Sequence, residues 1–279
     1  MKNILIIVVL FLSVTAAHAQ VSLSAPHVEA ILYTGDSSFH KPLIVGLGGS
    51  EGGNAWASEH WRGIREGFLS RGYGFLAIGY FNAKGTPVLL DRIAIDQVHA
   101  AIAEAASNPH IDRQRIAIIG GSRGGDLALL LGAFYSDIRC VVAIVPSNAV
   151  FPGNTNELMT SAWTYKGQEL PFVPVSEAAI PSLMKHDLRS AFEIMLRDSA
   201  AFGKAVIQVE RINGPVLLMS AIGDEICPST PMCESMMARL KDHSFGHYYE
   251  HVAIEGGHGA PLQHFDRVFA FLEGHFNPR

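Results

Sequence analysis

The chain has 279 residues, 48% of them hydrophobic and 17% charged, with a formal net charge of −5. Acidic and basic residues are interspersed along it, which argues against a nucleic-acid or polyanion partner. Three cysteines are too few for a disulfide framework, so buried apolar strands and helices must carry the fold.

The N-terminus reads as an export signal. Lys2 gives a positive start, residues 4–14 are almost wholly apolar, and Ala17-His18-Ala19 has the small-x-small pattern of a signal-peptidase site, with Gln20 as the new N-terminus. The apolar stretch is too short for a stable membrane span, and no cysteine adjoins the cleavage point for a lipid anchor. The expectation is a signal peptide over 1–19, a periplasmic or secreted protein, and one domain over 20–279.

From residue 28 onward apolar strands alternate with amphipathic helices, the pattern of a mostly parallel central sheet with helices on both faces. Residues 28–33 read as an edge strand, and 43–47 as a central strand ending in the glycine-rich Gly48-Gly49-Ser50-Glu51-Gly52-Gly53. A helix is expected through Trp56, Trp61, Ile64 and Phe68, closing at Arg71-Gly72, followed by a strand over 73–80. A longer helix spans about 89–106, with Ile95, Val98, Ile102 and Ala105 on one face, and Asn108-Pro109 stops it. A buried strand then runs through Ile116-Ala117-Ile118-Ile119 to Ser122 and turns into a helix that is apolar nearly all round over 127–134. Residues 138–145 form another buried strand, with Cys140 a buried thiol.

The alternation breaks over about 146–209. This region holds three prolines within 171–181, the cluster Trp163-Thr164-Tyr165 and a helix around 188–196. It reads as a cap or lid over the C-terminal edge of the sheet. Trp163 and Tyr165 either line a pocket there or fasten the cap by packing. The pattern resumes with a strand over 216–220 and a helix opened by Ser229-Thr230-Pro231, with a hydroxyl cap and proline in its first turn. Residues 248–254 are the last strand, and a final helix carries Phe265, Val268, Phe269 and Leu272 before Gly274. Cys227 and Cys233 form a local bridge or remain two free thiols.

Gly120, Ser122 and Gly124 give the spacing Gly-x-Ser-x-Gly between a strand and a helix, the nucleophile elbow of the α/β-hydrolase fold. A serine hydroxyl needs a base, an acid to orient that base, and donors for the oxyanion. In this fold the acid and base follow the serine in that order, each just past a later strand. Asp224, in Gly223-Asp224-Glu225, follows the strand over 216–220 and is preferred to Glu225. His258, in Gly256-Gly257-His258-Gly259, follows the last strand, and its glycines let the loop fold back over the sheet edge. His243, His247, His251 and His264 compete, but none sits in such small-residue company. The oxyanion donors are expected at the backbone N–H of Arg123 and of Ser50 or Glu51. The glycine-rich loop lacks the endings of a nucleotide-binding motif, and no histidine pair has zinc-ligand spacing, so neither cofactor nor catalytic metal is expected.

Beyond the elbow, the chain resembles the C-terminal catalytic domain of acyl-CoA thioesterases and bile acid-CoA:amino acid N-acyltransferases. The resemblance runs from about residue 42 to 276. It is carried by Gly121-Ser122-Arg123-Gly124-Gly125-Asp126-Leu127-Ala128-Leu129, by Tyr80-Phe81-Asn82 leading toward Pro87, by Ser161-Ala162-Trp163-Thr164-Tyr165-Lys166-Gly167, by Asp224 with Pro228-Ser229, and by Gly257-His258. It implies a nucleophile, an aspartate and a histidine acting on an acyl thioester, and a serine nucleophile implies transfer to water over transfer to an amine. Two features depart from the family: only about twenty residues precede the region in place of the β-sandwich domain of eukaryotic members, and Cys227 stands where an aromatic is common. An exported protein meets little acyl-CoA, which leaves the acyl donor open. The sequence therefore reads as a serine hydrolase of an acyl ester or thioester. An acyltransferase or peptidase on the same three residues, and a non-catalytic binding protein on the same scaffold, are the alternatives.

Overall fold

The computed structural model describes residues 20–35 and 40–276; the expected signal peptide lies outside them. Eight strands form one sheet: β1 (Gln20–Ala25), β2 (Val28–Tyr33), β3 (Lys41–Leu47), β4 (Gly74–Gly79), β5 (Ile111–Gly121), β6 (Ile138–Ile144), β7 (Val216–Ala221) and β8 (Tyr249–Ile254). Their spatial order is β1-β2-β4-β3-β5-β6-β7-β8. Pairing is antiparallel from β1 through β2 to β4 and parallel from there to β8.

Side chains alternate across the sheet with period two, so each central strand feeds two cores. Val45, Leu47, Ile116, Ile118, Val141 and Leu218 face α2 (Ile95–Ala106), α3 (Arg123–Phe134) and α7 (Ser229–Asp242). Ile44, Phe75, Ile119, Val142, Leu217 and Met219 face α1 (Arg62–Ser70) and α8 (Phe265–His275). β3, β4 and β7 are buried along their whole length, as expected of parallel strands covered on both sides. Each fully buried Leu or Ile stabilises this arrangement by about 1.5–3 kcal/mol.

Between β6 and β7 the chain leaves the sheet. Trp163–Tyr165 pairs with Ile93–Ala94 on one side and with Gln168–Glu169 on the other, in a small second sheet. Three helices follow, α4 (Ile180–Met184), α5 (Leu188–Met195) and α6 (Ser199–Ala205). Asp187 and Asp198 open α5 and α6 by accepting the backbone N–H of Ser190 and Ala201, which satisfies first-turn donors. These helices share a core in which Phe151, Val173, Ala191 and Met195 meet Cys227 and Met232 of the main body.

Several expectations change. β2 is interior, because β1 covers its outer side. Trp56 lies on a single 3₁₀ turn, and the helix begins only at Arg62. The second helix starts at Ile95, six residues later than expected: the N–H groups of Arg92 and Ile93 bond to Ser161 and Ala162, and Arg92 adopts φ 49°. Ser229 does not cap α7, since its hydroxyl turns to Asp224 instead. The last helix runs through Gly274 to His275. Cys140, Cys227 and Cys233 are buried free thiols.

Candidate active site

Parallel strands bring their C-terminal ends to one edge of the sheet, and the expected residues lie just beyond those ends. Ser122 stands between β5 and α3 with φ 52° and ψ −122°, a conformation that costs free energy for any residue with a side chain. The flanking glycines make the turn feasible. A Cβ on Gly120 would overlap the carbonyl of Gly124, and one on Gly124 would overlap the carbonyls of Gly48 and Leu47. The backbone N–H of Ser122 donates to Ile144 at 2.8 Å, which ties the apex to the next strand.

His258 presents Nδ1 to both carboxylate oxygens of Asp224 at 2.9 Å. Asp224 has no exposure. Burial by itself would raise its pKa, but hydrogen bonds from His258 and Ser229, the histidine's charge and the Cys227 N–H outweigh it and hold the carboxyl below its ordinary 3.8. Oδ1 accepts from the N–H of Ile226 and of Cys227 at 3.0 and 3.1 Å, and Oδ2 accepts the Ser229 hydroxyl at 2.6 Å. The group is thus an ionised acceptor fixed in orientation.

Ser122 and His258 line one cavity of about 550 Å³, together with Arg123, Ser50 and Glu51. Its wall is otherwise largely apolar, with Leu183, Leu188, Phe192 and Met195 from the segment between β6 and β7, and Trp56, Ile226 and Cys227 from the body. Trp163 and Tyr165 do not line it. Trp163 is fully buried and packs on Tyr80, 5.8 Å between ring centres. The Tyr80 hydroxyl in turn donates to the Gly48 carbonyl at 2.6 Å. The two aromatic motifs therefore brace the glycine-rich loop from behind. In that loop Gly49 approaches Ser122: a Cβ there would lie 3.3 Å from Cβ of Ser122. Its N–H donates to Glu51 Oε1 at 3.0 Å.

Four contacts were not foreseen from the sequence. Glu225 Oε2 accepts the backbone N–H of His258 at 2.9 Å. Arg189, on α5, donates to the carbonyl of Asp224 at 2.6 Å and to Glu193 at 3.0 Å. Asp126 is buried at the cavity, accepts the N–H of Ser147 at 2.7 Å and faces Arg123 at 3.6 Å. Cys227 Sγ lies 3.8 Å from Asp224 Oδ2. Glu225 left a sequence signal, its place beside the preferred acid; the bonds of Arg189 to Asp224 and of Asp126 to Ser147 depend on long-range packing.

A serine–histidine hydrogen bond elsewhere joins Ser220 and His251 at 2.7 Å. It lies between neighbouring strands β7 and β8, Ser220 has no exposure, and neither residue lines the cavity. The Thr230 hydroxyl completes this group at 2.9 Å from Ser220. It pins the start of α7 to the sheet, and burial lowers the pKa of His251 despite the charge of Glu234. His243, His247 and His264 are also absent from the lining.

The family described as "BAAT / Acyl-CoA thioester hydrolase C terminal" matches residues 95–261, more than half of the chain and inclusive of Ser122, Asp224 and His258. The chain belongs to this family. Among its relatives, acyl-coenzyme A thioesterase 6 of Mus musculus is 27% identical over 226 residues, covering 80% of this chain and 50% of that protein. Acyl-coenzyme A amino acid N-acyltransferase 1 of Mus musculus is 23% identical over 176 residues, covering 62% and 39%. The chain thus spans half or less of the length of these two relatives. An esterase of Pyrococcus furiosus superposes with a TM-score of 0.63 at 17% identity, covering 99% of this chain and 98% of the other. An acylaminoacyl peptidase of Pyrococcus horikoshii superposes with a TM-score of 0.61 at 13% identity, over 92% and 41%. At such identities the likeness is one of fold: this member of the thioester hydrolase family has the α/β-hydrolase architecture. Among the described residues no helix is long and apolar enough to cross a membrane.

Proposed function

We propose that this protein is an exported serine hydrolase that cleaves an acyl ester or thioester through an acyl-enzyme. The observation that carries the reading is the Asp224–His258 pair at the wall of a cavity that Ser122 also lines. Ser122 attacks the acyl carbonyl while His258 takes its proton, and the same proton passes to the leaving group. Asp224 keeps the proton of the resting imidazole on Nδ1, which frees Nε2 to act as base, and stabilises the imidazolium. The N–H of Arg123 and one from the Ser50–Glu51 loop receive the oxyanion, and water then cleaves the acyl-enzyme.

The apolar wall supports an apolar acyl group. The cation on the lining, Arg123, already faces Asp126 and stands in the same cavity as the carboxylate of Glu51. That balance suits an uncharged acyl chain better than an anionic one. Labelling with a fluorophosphonate probe tests the nucleophile: wild type should label and Ser122→Ala should not, and equal labelling of both would overturn the assignment. A panel of p-nitrophenyl esters, acyl-CoAs and amides, with and without added amines, then reads the leaving group and the acceptor.

A further inference from the structure

Cys227 stands beside the candidate acid–base pair, and the proposed hydrolysis gives it no task. Its Sγ and the Nδ1 of His258 both approach the same carboxylate oxygen, Oδ2 of Asp224, at 3.8 and 2.9 Å. The three donor atoms all lie within 4.8 Å of one another. Cys227 and His258 line the cavity, so a small ion entering it meets both. The other Oδ1 oxygen is held by the N–H groups of Ile226 and Cys227, which fixes the carboxylate. Thiolate, imidazole and carboxylate on a rigid frame form a donor set suited to zinc.

We propose that Asp224, Cys227 and His258 form an inhibitory site for a thiophilic divalent cation such as zinc. Binding forms three bonds to the metal and breaks the S–H bond of Cys227, whose proton goes to solvent. The imidazole stays neutral: its proton leaves Nδ1, where the metal binds, and returns on Nε2. The site charge of −1 from Asp224 becomes 0 once the dication and the thiolate are counted, which balances the one proton released. With Nε2 protonated, His258 has no lone pair with which to take the proton of Ser122. Binding stands on the geometry alone; inhibition rests on the hydrolase reading above.

The test uses chelator-treated protein carrying Ser122→Ala, titrated with zinc chloride by calorimetry and with cadmium chloride by ultraviolet thiolate-to-metal charge-transfer absorption. A single equivalent should bind, with the charge-transfer band present. Cys227→Ser on this background should abolish the band and weaken zinc binding by roughly tenfold or more, and Cys233→Ser should change neither. Unchanged zinc affinity in Cys227→Ser, or cadmium binding without the band, overturns the site. Should Cys227→Ser fail to fold, the band in the Cys233→Ser protein decides by itself, and its absence overturns the site. In protein with Ser122 intact, zinc should suppress ester hydrolysis and EDTA should restore it. Hydrolysis that continues with zinc bound overturns the inhibition. Zinc binding with the band, in a protein inert toward every ester, upholds the site and sinks the hydrolase reading instead.

Discussion

Glu225 holds the main chain of His258, through a 2.9 Å hydrogen bond to its backbone N–H, while its neighbour Asp224 holds the imidazole. Two consecutive side chains thus grip one residue on a different loop. Gly257 is part of the same contact, since a Cβ there would come within 2.6 Å of Glu225 Oε2. Glu225→Gln keeps an acceptor and should retain near wild-type kcat/KM. Glu225→Ala should lower it by about tenfold, the size of one hydrogen bond to a charged group, and displace the acid limb of the pH–rate profile. Equal rates and superimposable profiles for the two variants would refute a positioning role.

Arg189 connects the wall of the cavity to the acid loop. Its helix, α5, contributes Leu188, Ala191, Phe192 and Met195 to the lining, while its guanidinium bonds to the Asp224 carbonyl. Arg189→Ala should raise KM for acyl substrates more than it lowers kcat, with Arg189→Lys intermediate, because the loss falls on the wall before it reaches the chemistry. Steady-state kinetics on esters of increasing chain length provides the measurement. A pure kcat loss at unchanged KM would contradict the coupling.

The elbow tolerates no added carbon at Gly120 or Gly124, because the atoms in the way are backbone. Gly120→Ala should be destabilised by several kcal/mol, roughly the upper range of single substitutions, and should be recovered chiefly as insoluble protein. Gly121→Ala is the control, since a Cβ there meets its nearest neighbour, Leu262, at an ordinary 3.7 Å. A Gly120→Ala protein that melts like wild type would show that the strand–helix turn is looser than the close approach of Gly120 to the Gly124 carbonyl requires.

Asp126 makes stability depend on pH. Burial lifts its pKa from 3.8 to about 6, against the opposing effects of Arg123 and Ser147. The folded state therefore holds this proton more tightly than the unfolded chain does. The stabilisation is complete below about pH 4 and is lost as pH rises through about 6. Asp126→Asn keeps an acceptor for Ser147 and removes the titration. Its melting temperature relative to wild type should climb by roughly 5 °C between pH 4 and pH 7. A flat difference across that range would show that Asp126 keeps its ordinary pKa in the folded protein.

The alternation of apolar strands and amphipathic helices is legible because burial on both faces forces it, and most central strands lie close to their expected limits, although β5 begins at Ile111, five residues before the expected start at Ile116. Errors arose where distant partners overrode local pattern. The helix expected from about residue 89 cannot begin there, because Ser161 and Ala162 take the N–H groups of Arg92 and Ile93. Trp56 fits a helix by spacing, yet it packs among Trp61, Phe75 and Phe265 from a separate turn. Ser229 looked like a helix cap because a hydroxyl before a proline usually is one, and no local signal revealed that Asp224 would claim it.

Taken alone, the sequence determined the elbow at Ser122, the order in which Asp224 and His258 follow it, and the parallel sheet that gathers strand ends at one edge. These are properties of spacing, of residue size and of hydrophobic period, all readable in one dimension. Only the tertiary structure decided what surrounds them: that Glu225 and Arg189 brace the Asp224–His258 pair, that Trp163 supports Tyr80 and leaves the cavity to Phe192 and Met195, and that Cys227 shares an oxygen with His258. Such contacts join residues on loops and helices that no local period relates. They exist only once packing has brought those elements within hydrogen-bonding distance.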